Sequence, residues 1–195
     1  MKLNQVILII LVLAFSSFSY SQDYKEGYVI LNNNDTLFGE LEVLSDIQCG
    51  KKVIIKVGEK VTKYKPKKIK AYKIGEDEYV TKQFTLPGNL STFTRFLKVW
   101  ELGKVNIYGY YYSANTQYFD VSNPNNKSHE VFIEKDGILE RVKDTGFANR
   151  MSEYFSDNKE LSEQILNNKL TYYDILKIVR IYNGHYNENH KSTND

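Results

Sequence analysis

The chain has 195 residues, with 26 Lys and Arg against 24 Asp and Glu, and a formal net charge of +2. This near-balance gives no argument for nucleic acid as a partner of the whole protein. The single cysteine, Cys49, excludes an intramolecular disulfide. Because no histidine lies near it in the sequence, we interpret Cys49 as a structural residue.

The first 21 residues have the layout of a secretory signal peptide. Lys2 supplies a positive charge, residues 6–15 form an apolar run, and cleavage is predicted between Ser21 and Gln22. The run is shorter than the roughly 20 residues of a permanent membrane span, and a retained N-terminal anchor is the alternative. We expect an exported protein in the periplasm, associated with the outer membrane or secreted, with no transmembrane span in the mature chain. Export also removes nucleic acid from the expected partners.

Residues 22–143 are predicted to form a β-rich region, because β-branched and aromatic segments alternate with short Gly, Asn and Asp turns. The predicted strands cover residues 27–31, 36–44, 52–57, 60–65, 69–74, 78–86, 93–101, 104–112, 117–121, 130–134 and 138–142. In the second of these strands, Leu37, Gly39 and Leu41 share one face. Pro66 indicates a strand start or a sheet edge, since proline cannot donate to a ladder.

After Asp144 the apolar period changes to about 3.6 residues, which predicts helices over residues 144–184 of the same domain. Asp157 is the predicted N-cap of the second helix, Thr171 and Asp174 form a capping pattern, and Gly184 ends the third helix. Residues 185–195 are predicted to be a flexible tail. Strands followed by helices indicate an α+β fold. We expect an antiparallel β-rich sandwich or partly open barrel of about ten strands, followed by about three C-terminal helices.

The densest charge feature is the stretch from Lys51 to Lys73, which holds ten lysines and one acid, Glu59. Such a basic stretch is a candidate site for an anionic glycan, lipopolysaccharide phosphate or anionic lipid. The candidate residues are Lys63, Lys65, Lys67, Lys68 and Lys70, with Tyr64 and Tyr72. The alternative is a solvated sheet edge whose lysines prevent edge-to-edge pairing.

A second candidate is an aromatic platform for sugar rings, made of Trp100, Tyr108, Tyr110 and Tyr112. Strand alternation places the three tyrosines on one face. The alternative is ordinary packing of half-buried aromatic side chains with a wet hydroxyl.

The sequence contains none of the common catalytic motifs: no Gly-x-Ser-x-Gly, no His-Glu-x-x-His and no Gly-rich phosphate loop. We therefore predict a non-enzymatic protein without catalytic residues, metal or cofactor. Paired carboxylates, such as Glu40 with Glu42 and those of residues 76–78, leave an envelope hydrolase as a further hypothesis.

Several segments resemble a group of exported proteins from Bacteroidetes-type bacteria. Residues 27–30 (GYVI) and 34–41 (NDTLFGEL) are similar to the signature G-x-I…G-D-T-x-x-G-x-I, with Asn34 in place of a glycine. Residues 64–72 (YKPKKIKAY) are similar to Y-x-P-x-x-I-x-x-Y/F, and weaker similarity covers residues 96–108 and 154–183. The resemblance implies a β-rich exported domain with a helical C-terminus. It implies no activity, because none is established for the group.

The sequence thus predicts an exported, non-enzymatic protein of the cell envelope that acts by binding or assembly. The expected partners are an envelope protein, a glycan or an anionic lipid, and the oligomeric state is left open. Polyanion binding through the lysine-rich stretch and carboxylate-dependent hydrolysis are the alternatives.

Overall fold

The computed structural model of the protein describes residues 23–86, 91–113 and 127–191. The predicted signal peptide, including the cleavage residues Ser21 and Gln22, lies outside the described residues, as does the predicted strand at 117–121. In the described part, no helix is long and apolar enough to cross a membrane.

Within the described ranges, ten strands precede three longer C-terminal helices, which confirms the α+β prediction. The first half contains β1 (Tyr24–Leu31), β2 (Thr36–Glu42), α1 (Asp46–Cys49), β3 (Val53–Val57), β4 (Lys60–Tyr64), a 3-10 turn (Pro66–Lys68) and β5 (Ile69–Ile74). The second half contains β6 (Asp77–Thr85), β7 (Thr92–Glu101), β8 (Val105–Ser113), β9 (Lys127–Lys135), β10 (Ile138–Arg141), α2 (Phe147–Tyr154), α3 (Lys159–Leu166), a second 3-10 turn (Tyr172–Asp174) and α4 (Ile175–Lys191).

All ten strands belong to one antiparallel sheet in the order β10-β9-β8-β7-β6-β5-β1-β2-β3-β4. Neighbours in the sheet are neighbours in the chain, except that β1 pairs with β5 as well as with β2. The sheet is open, with β10 and β4 as its edges. A single open sheet corresponds to the predicted partly open barrel rather than to a two-sheet sandwich.

The sheet curls strongly between β6 and β10. Two strands separate β6 from β9, so in a flat sheet these strands would lie about 14 Å apart. The Phe84 and Phe132 rings, from β6 and β9, nevertheless have centroids 4.6 Å apart. This face, called the concave face below, buries five side chains as one cluster: Phe84, Leu97, Tyr108, Tyr110 and Phe132.

The opposite face of β8 and β9 carries the helices. Val105, Ile107, Val131 and Ile133 are buried there beneath α2, α3 and α4. Each helix contributes an apolar stripe, with buried residues Met151 in α2, Leu161 and Ile165 in α3, and Ile178 and Val179 in α4. Helices and sheet therefore share one core.

The β1–β5 half packs around α1, a short helix that the sequence did not predict. Cys49 is buried at its end, in a cluster with Leu41, Ile55 and Phe96. The Phe96 amide donates to the Gly50 carbonyl at 3.1 Å, which ties α1 to β7. Phe96 and Leu97 are consecutive residues and belong to different clusters, so the two clusters lie on opposite faces of the sheet.

Two predicted helix boundaries are wrong. The N-cap of α3 is Asn158, whose side chain accepts from the Leu161 amide at 3.1 Å, because Asp157 instead contacts Lys135 and Tyr182. Helix α4 continues through Gly184 to Lys191 and so includes part of the predicted tail. The predicted capping pattern of Thr171 and Asp174 is confirmed, as a capping box at the second 3-10 turn.

Candidate anion-binding surface

Five exposed lysines lie on β4, on the connection that contains the 3-10 turn, and on β5. We call them the lysine surface: Lys63, Lys65, Lys67, Lys68 and Lys70. Lys63 belongs to the edge strand β4, and Lys70 belongs to β5, in the interior of the sheet. The three lysines between them lie on the turn that joins these strands.

Local sequence explains why the turn forms and stays in place. Pro66 occupies the first position of the 3-10 helix, where its missing N–H costs no hydrogen bond. Pro66 is also buried. The Thr81 hydroxyl in β6 lies 3.1 Å from the Pro66 carbonyl and 2.7 Å from the Ile69 carbonyl, and is the donor for both contacts. The backbone that carries the lysines is therefore held against the sheet.

The lysine surface is not neutralised by neighbouring acids. In the described ranges, none of its five side chains forms an ion pair with a carboxylate. The Lys70 ammonium donates to the neutral Asn34 side chain. Asn32 donates to the Lys67 carbonyl at 3.0 Å, so amide side chains of the β1–β2 turn contact the lysine surface, and the one carboxylate of this turn, Asp35, accepts from Asn33 instead.

A polar depression of about 490 Å³ adjoins the lysine surface. Its polar lining residues are Asn32, Lys67, Lys70, Thr81, Gln83 and Thr94. Hydroxyl and amide side chains of this kind suit a hydrated ligand such as a sugar better than an apolar one.

The structure separates Tyr72 from the lysine surface, contrary to its selection as a ligand-contact candidate. Tyr72 is 1% exposed, stacks on Tyr79 and donates its hydroxyl to the Cys49 carbonyl at 2.9 Å. Burial raises the pKa of this phenol, so it stays neutral. Tyr64 is half-buried and packs against the same core cluster. Ile69 and Tyr72 belong to the same buried cluster although they are three residues apart, because an irregularity in the β1–β5 pairing interrupts strand alternation near Lys70.

The proposed aromatic platform is not brought together as one surface. Tyr108 and Tyr110 are 3% and 4% exposed on the concave face, and Tyr112 is half-buried beside Tyr110. Trp100 lies on the other face, where its ring covers Gly109 and contacts the helix-side cluster. A bulge in β7 at this point shifts the register with β8. These aromatics therefore pack, as the alternative interpretation predicted.

The concave face also holds a polar cluster that the sequence did not single out. Lys82 and Tyr108 both donate to Glu134, with the Lys82 ammonium at 2.6 and 2.7 Å and the Tyr108 hydroxyl at 2.6 Å. Burial by itself would raise the pKa of Glu134, but these hydrogen bonds and the Lys82 charge lower it below the ordinary value. The sequence gives only a weak signal, since single charged residues such as Lys82 and Glu134 within strands are equally typical of a wet strand face.

The carboxylates proposed for hydrolysis lie elsewhere. Glu40 on β2 is exposed and forms an ion pair with Lys56 at 3.6 Å, whereas Asp77 at the β5–β6 turn pairs with Lys98 at 2.7 Å. Among the residues that the structure describes, no group of three or more His, Cys, Asp or Glu could hold a metal ion. The hydrolase hypothesis stays a prediction.

Comparisons of the chain with family models, with curated proteins and with solved structures find no match. Function is therefore inferred from the residues and geometry of this chain alone.

Proposed function

We propose that the protein is an exported, non-enzymatic binding protein of the cell envelope that recognises anionic polymers through the lysine surface. The observation that carries the proposal is the group of three lysines in the β4–β5 connection: Lys65, which precedes the 3-10 turn, and Lys67 and Lys68 within it. All three are exposed and lack an acidic partner among the described residues, and a buried proline anchors their turn.

Protection of a sheet edge does not account for these three residues. Lysines prevent edge-to-edge pairing when they lie on the edge strand itself. Lys60 and Lys63 on β4 meet that requirement. Lys65, Lys67 and Lys68 lie beyond the end of the strand, where there is no unpaired ladder to protect. Their concentration of charge favours an interaction with an anion.

The chemistry of lysine favours a diffuse polyanion as the ligand. An ammonium group is a hydrated point charge, and it does not form the bidentate contacts by which arginine selects one phosphate or carboxylate. The neighbouring polar depression adds amide and hydroxyl groups that suit sugar units. An anionic glycan or the phosphorylated part of lipopolysaccharide combines both features.

The proposal is tested by measuring the affinity for dextran sulfate, an anionic glycan, as a function of salt. We expect log Kd to rise linearly with log salt, because the polymer releases counterions on binding. The triple variant Lys65→Glu, Lys67→Glu, Lys68→Glu should bind at least about tenfold more weakly at low salt, since three attractive charges become repulsive.

A matched control distinguishes the effect of the position of the lysines from the effect of the net charge of the protein. The triple variant Lys159→Glu, Lys169→Glu, Lys177→Glu changes the net charge equally at three exposed lysines of the helical region. It should keep most of the affinity. Equal losses in the two triple variants, or no loss in the first, would reject the lysine surface as the binding site.

A further inference from the structure

A second concave site lies where the end of β6 approaches β10 and α2. This open cavity, called the β6–β10 cavity below, has a volume of about 750 Å³. Small-molecule sites usually occupy about 300–1,000 Å³. The cavity exists because the sheet curls and brings β6 close to β10. In a flat sheet with the same strand order these two strands would lie far apart.

Part of the cavity lining is apolar, beside polar residues that include Gln83, Thr85 and Thr92. Phe84 and Phe132 from the concave face and Met151 from α2 are buried and form its floor. Leu86 and Leu139 are half-buried lining residues. Because Phe84, Phe132 and Met151 are 7%, 2% and 4% exposed, Leu86 and Leu139 supply most of the apolar area that a hydrocarbon group would remove from water, and the free energy gained is proportional to that area.

Three cations lie around the same cavity: Arg141, Lys143 and Arg150. Arg150 donates to the Lys143 carbonyl at 2.7 Å, which holds the guanidinium close to the Lys143 backbone. Arg141 donates to Glu130 at 3.0 Å. Lys143 and Arg150 are exposed, and neither pairs with a carboxylate in the described part of the chain.

Charge in the lining is therefore unbalanced. Among the described lining residues, Glu140 is the one acid, whereas Lys143 and Arg150 are cations without a carboxylate partner and Arg141 is paired with Glu130. An apolar floor next to excess positive charge is complementary to a molecule with a hydrocarbon part and an anionic end.

We propose that the β6–β10 cavity binds a single-chain amphiphile with an anionic head group, an acyl carboxylate or an alkyl phosphate. The chain lies on Leu86, Leu139 and Met151, and the head group contacts Lys143 and Arg150. A small polar anion would leave the apolar floor uncovered, whereas a polymer such as dextran sulfate has no hydrocarbon chain to cover it. This inference is independent of the lysine surface, although Gln83 lines both the cavity and the polar depression.

The test is calorimetric titration of the full mature chain with dodecanoate and with dodecyl phosphate, each below the concentration at which it forms micelles. We expect saturable binding of at least one, and the tighter ligand identifies the head group. The double variant Lys143→Glu, Arg150→Glu should weaken that binding by about tenfold or more, because both contacts become repulsive. Leu86→Asn should also weaken it, since a polar amide replaces part of the apolar wall.

Controls make the outcomes decisive. Lys159→Glu with Lys169→Glu changes the net charge equally and should bind like the wild type, as should the triple variant of the lysine surface. Dodecyltrimethylammonium, acetate and inorganic phosphate should bind much more weakly than the anionic amphiphiles. The proposal is overturned if neither anionic amphiphile binds, if the cationic one binds equally, or if a double variant with an unchanged unfolding midpoint keeps the wild-type affinity.

Discussion

Glu134 shows how one residue joins strands that are distant in the sheet. Its carboxylate on β9 accepts hydrogen bonds from Lys82 on β6 and from Tyr108 on β8. The Lys82 ammonium also lies over the Tyr108 ring, at 5.1 Å from its centroid. Glu134 and Lys82 are 13% and 23% exposed, so loss of either partner leaves a largely desolvated charge.

We expect Glu134→Gln to lower the free energy of unfolding at pH 7 by about 1–3 kcal/mol, because the Lys82 ammonium loses its charged acceptor. Urea denaturation measures this difference. Glu153→Gln, at an exposed position on α2, is the control and should change stability little.

The same variant has a defined pH dependence. The pKa of Glu134 is lower in the folded protein than in the unfolded chain, where it is about 4.3. Its ionised form therefore stabilises the fold above that pH, and the stabilisation is lost as the pH falls through the folded pKa. The difference in free energy of unfolding between wild type and Glu134→Gln should become smaller below about pH 4. A difference that does not change with pH would contradict the lowered pKa of Glu134.

Asn183 illustrates a residue role that sequence patterns do not reveal. It is buried in α4, where its side chain accepts from the Val105 amide and donates to the Val105 carbonyl, both at 2.9 Å. The backbone amide and carbonyl at the start of β8 thereby obtain the hydrogen-bond partners that a neighbouring strand would otherwise supply. A polar residue on the apolar side of a helix gives no indication of which backbone it contacts, since Val105 lies 78 residues away.

At the scale of elements, the strands followed the predicted pattern closely. The hairpins β1–β2, β3–β4 and β5–β6 form where the turn residues and alternation predict them, and Leu41 lies on the buried face. Strand face is predictable because the pleat reverses side-chain direction at each residue. Helix α1 escaped prediction because four residues are too few to establish a period of 3.6.

Gly27 and Gly39 have a structural role. They pair across β1 and β2. A Cβ atom at Gly27 would lie 2.0 Å from the Lys73 carbonyl oxygen, and one at Gly39 would lie 2.3 Å from the Lys56 oxygen. The close approach of backbones in the curled sheet therefore requires glycine at both positions.

Alanine substitutions at these two glycines and at Gly184 should change the free energy of unfolding in opposite directions. Gly27→Ala or Gly39→Ala should reduce the free energy of unfolding by about 1–3 kcal/mol, since the backbone must shift. Gly184→Ala should raise it by about 0.5–1 kcal/mol, because Gly184 lies inside α4 with open space around its Cα. Thermal and urea unfolding measure all three, and destabilisation by Gly184→Ala would argue against a continuous α4.

At the scale of the whole molecule, the helices complete the fold of the sheet. Val105, Ile107, Val131 and Ile133 are buried only because α2–α4 cover them. Lys135 adds a polar connection, donating to Asp157 at 3.0 Å at the end of β9. Sheet and helices should therefore unfold together as one cooperative unit.

A chain that ends at residue 143 tests this dependence. We expect it to lose cooperative unfolding and to bind a hydrophobic dye, because the helix-side face of β8 and β9 is left exposed. Circular dichroism during urea unfolding and dye fluorescence report the two effects. A sharp transition with the midpoint of the full chain would show instead that the β-rich region folds on its own.

The sequence alone determined the type of most elements, the α+β class and the position of the lysine-rich stretch, because periodicity, turn residues and charge are properties of neighbouring residues. Only the tertiary structure decided that β1 lies between β5 and β2, that β6 curls towards β10, and that Tyr72, Tyr108 and Tyr110 are buried. It also decided that the lysines of the turn lack acidic partners among the described residues and that Lys143 and Arg150 line a partly apolar cavity. These features depend on contacts between residues far apart in the chain, and local patterns do not specify which distant segments meet.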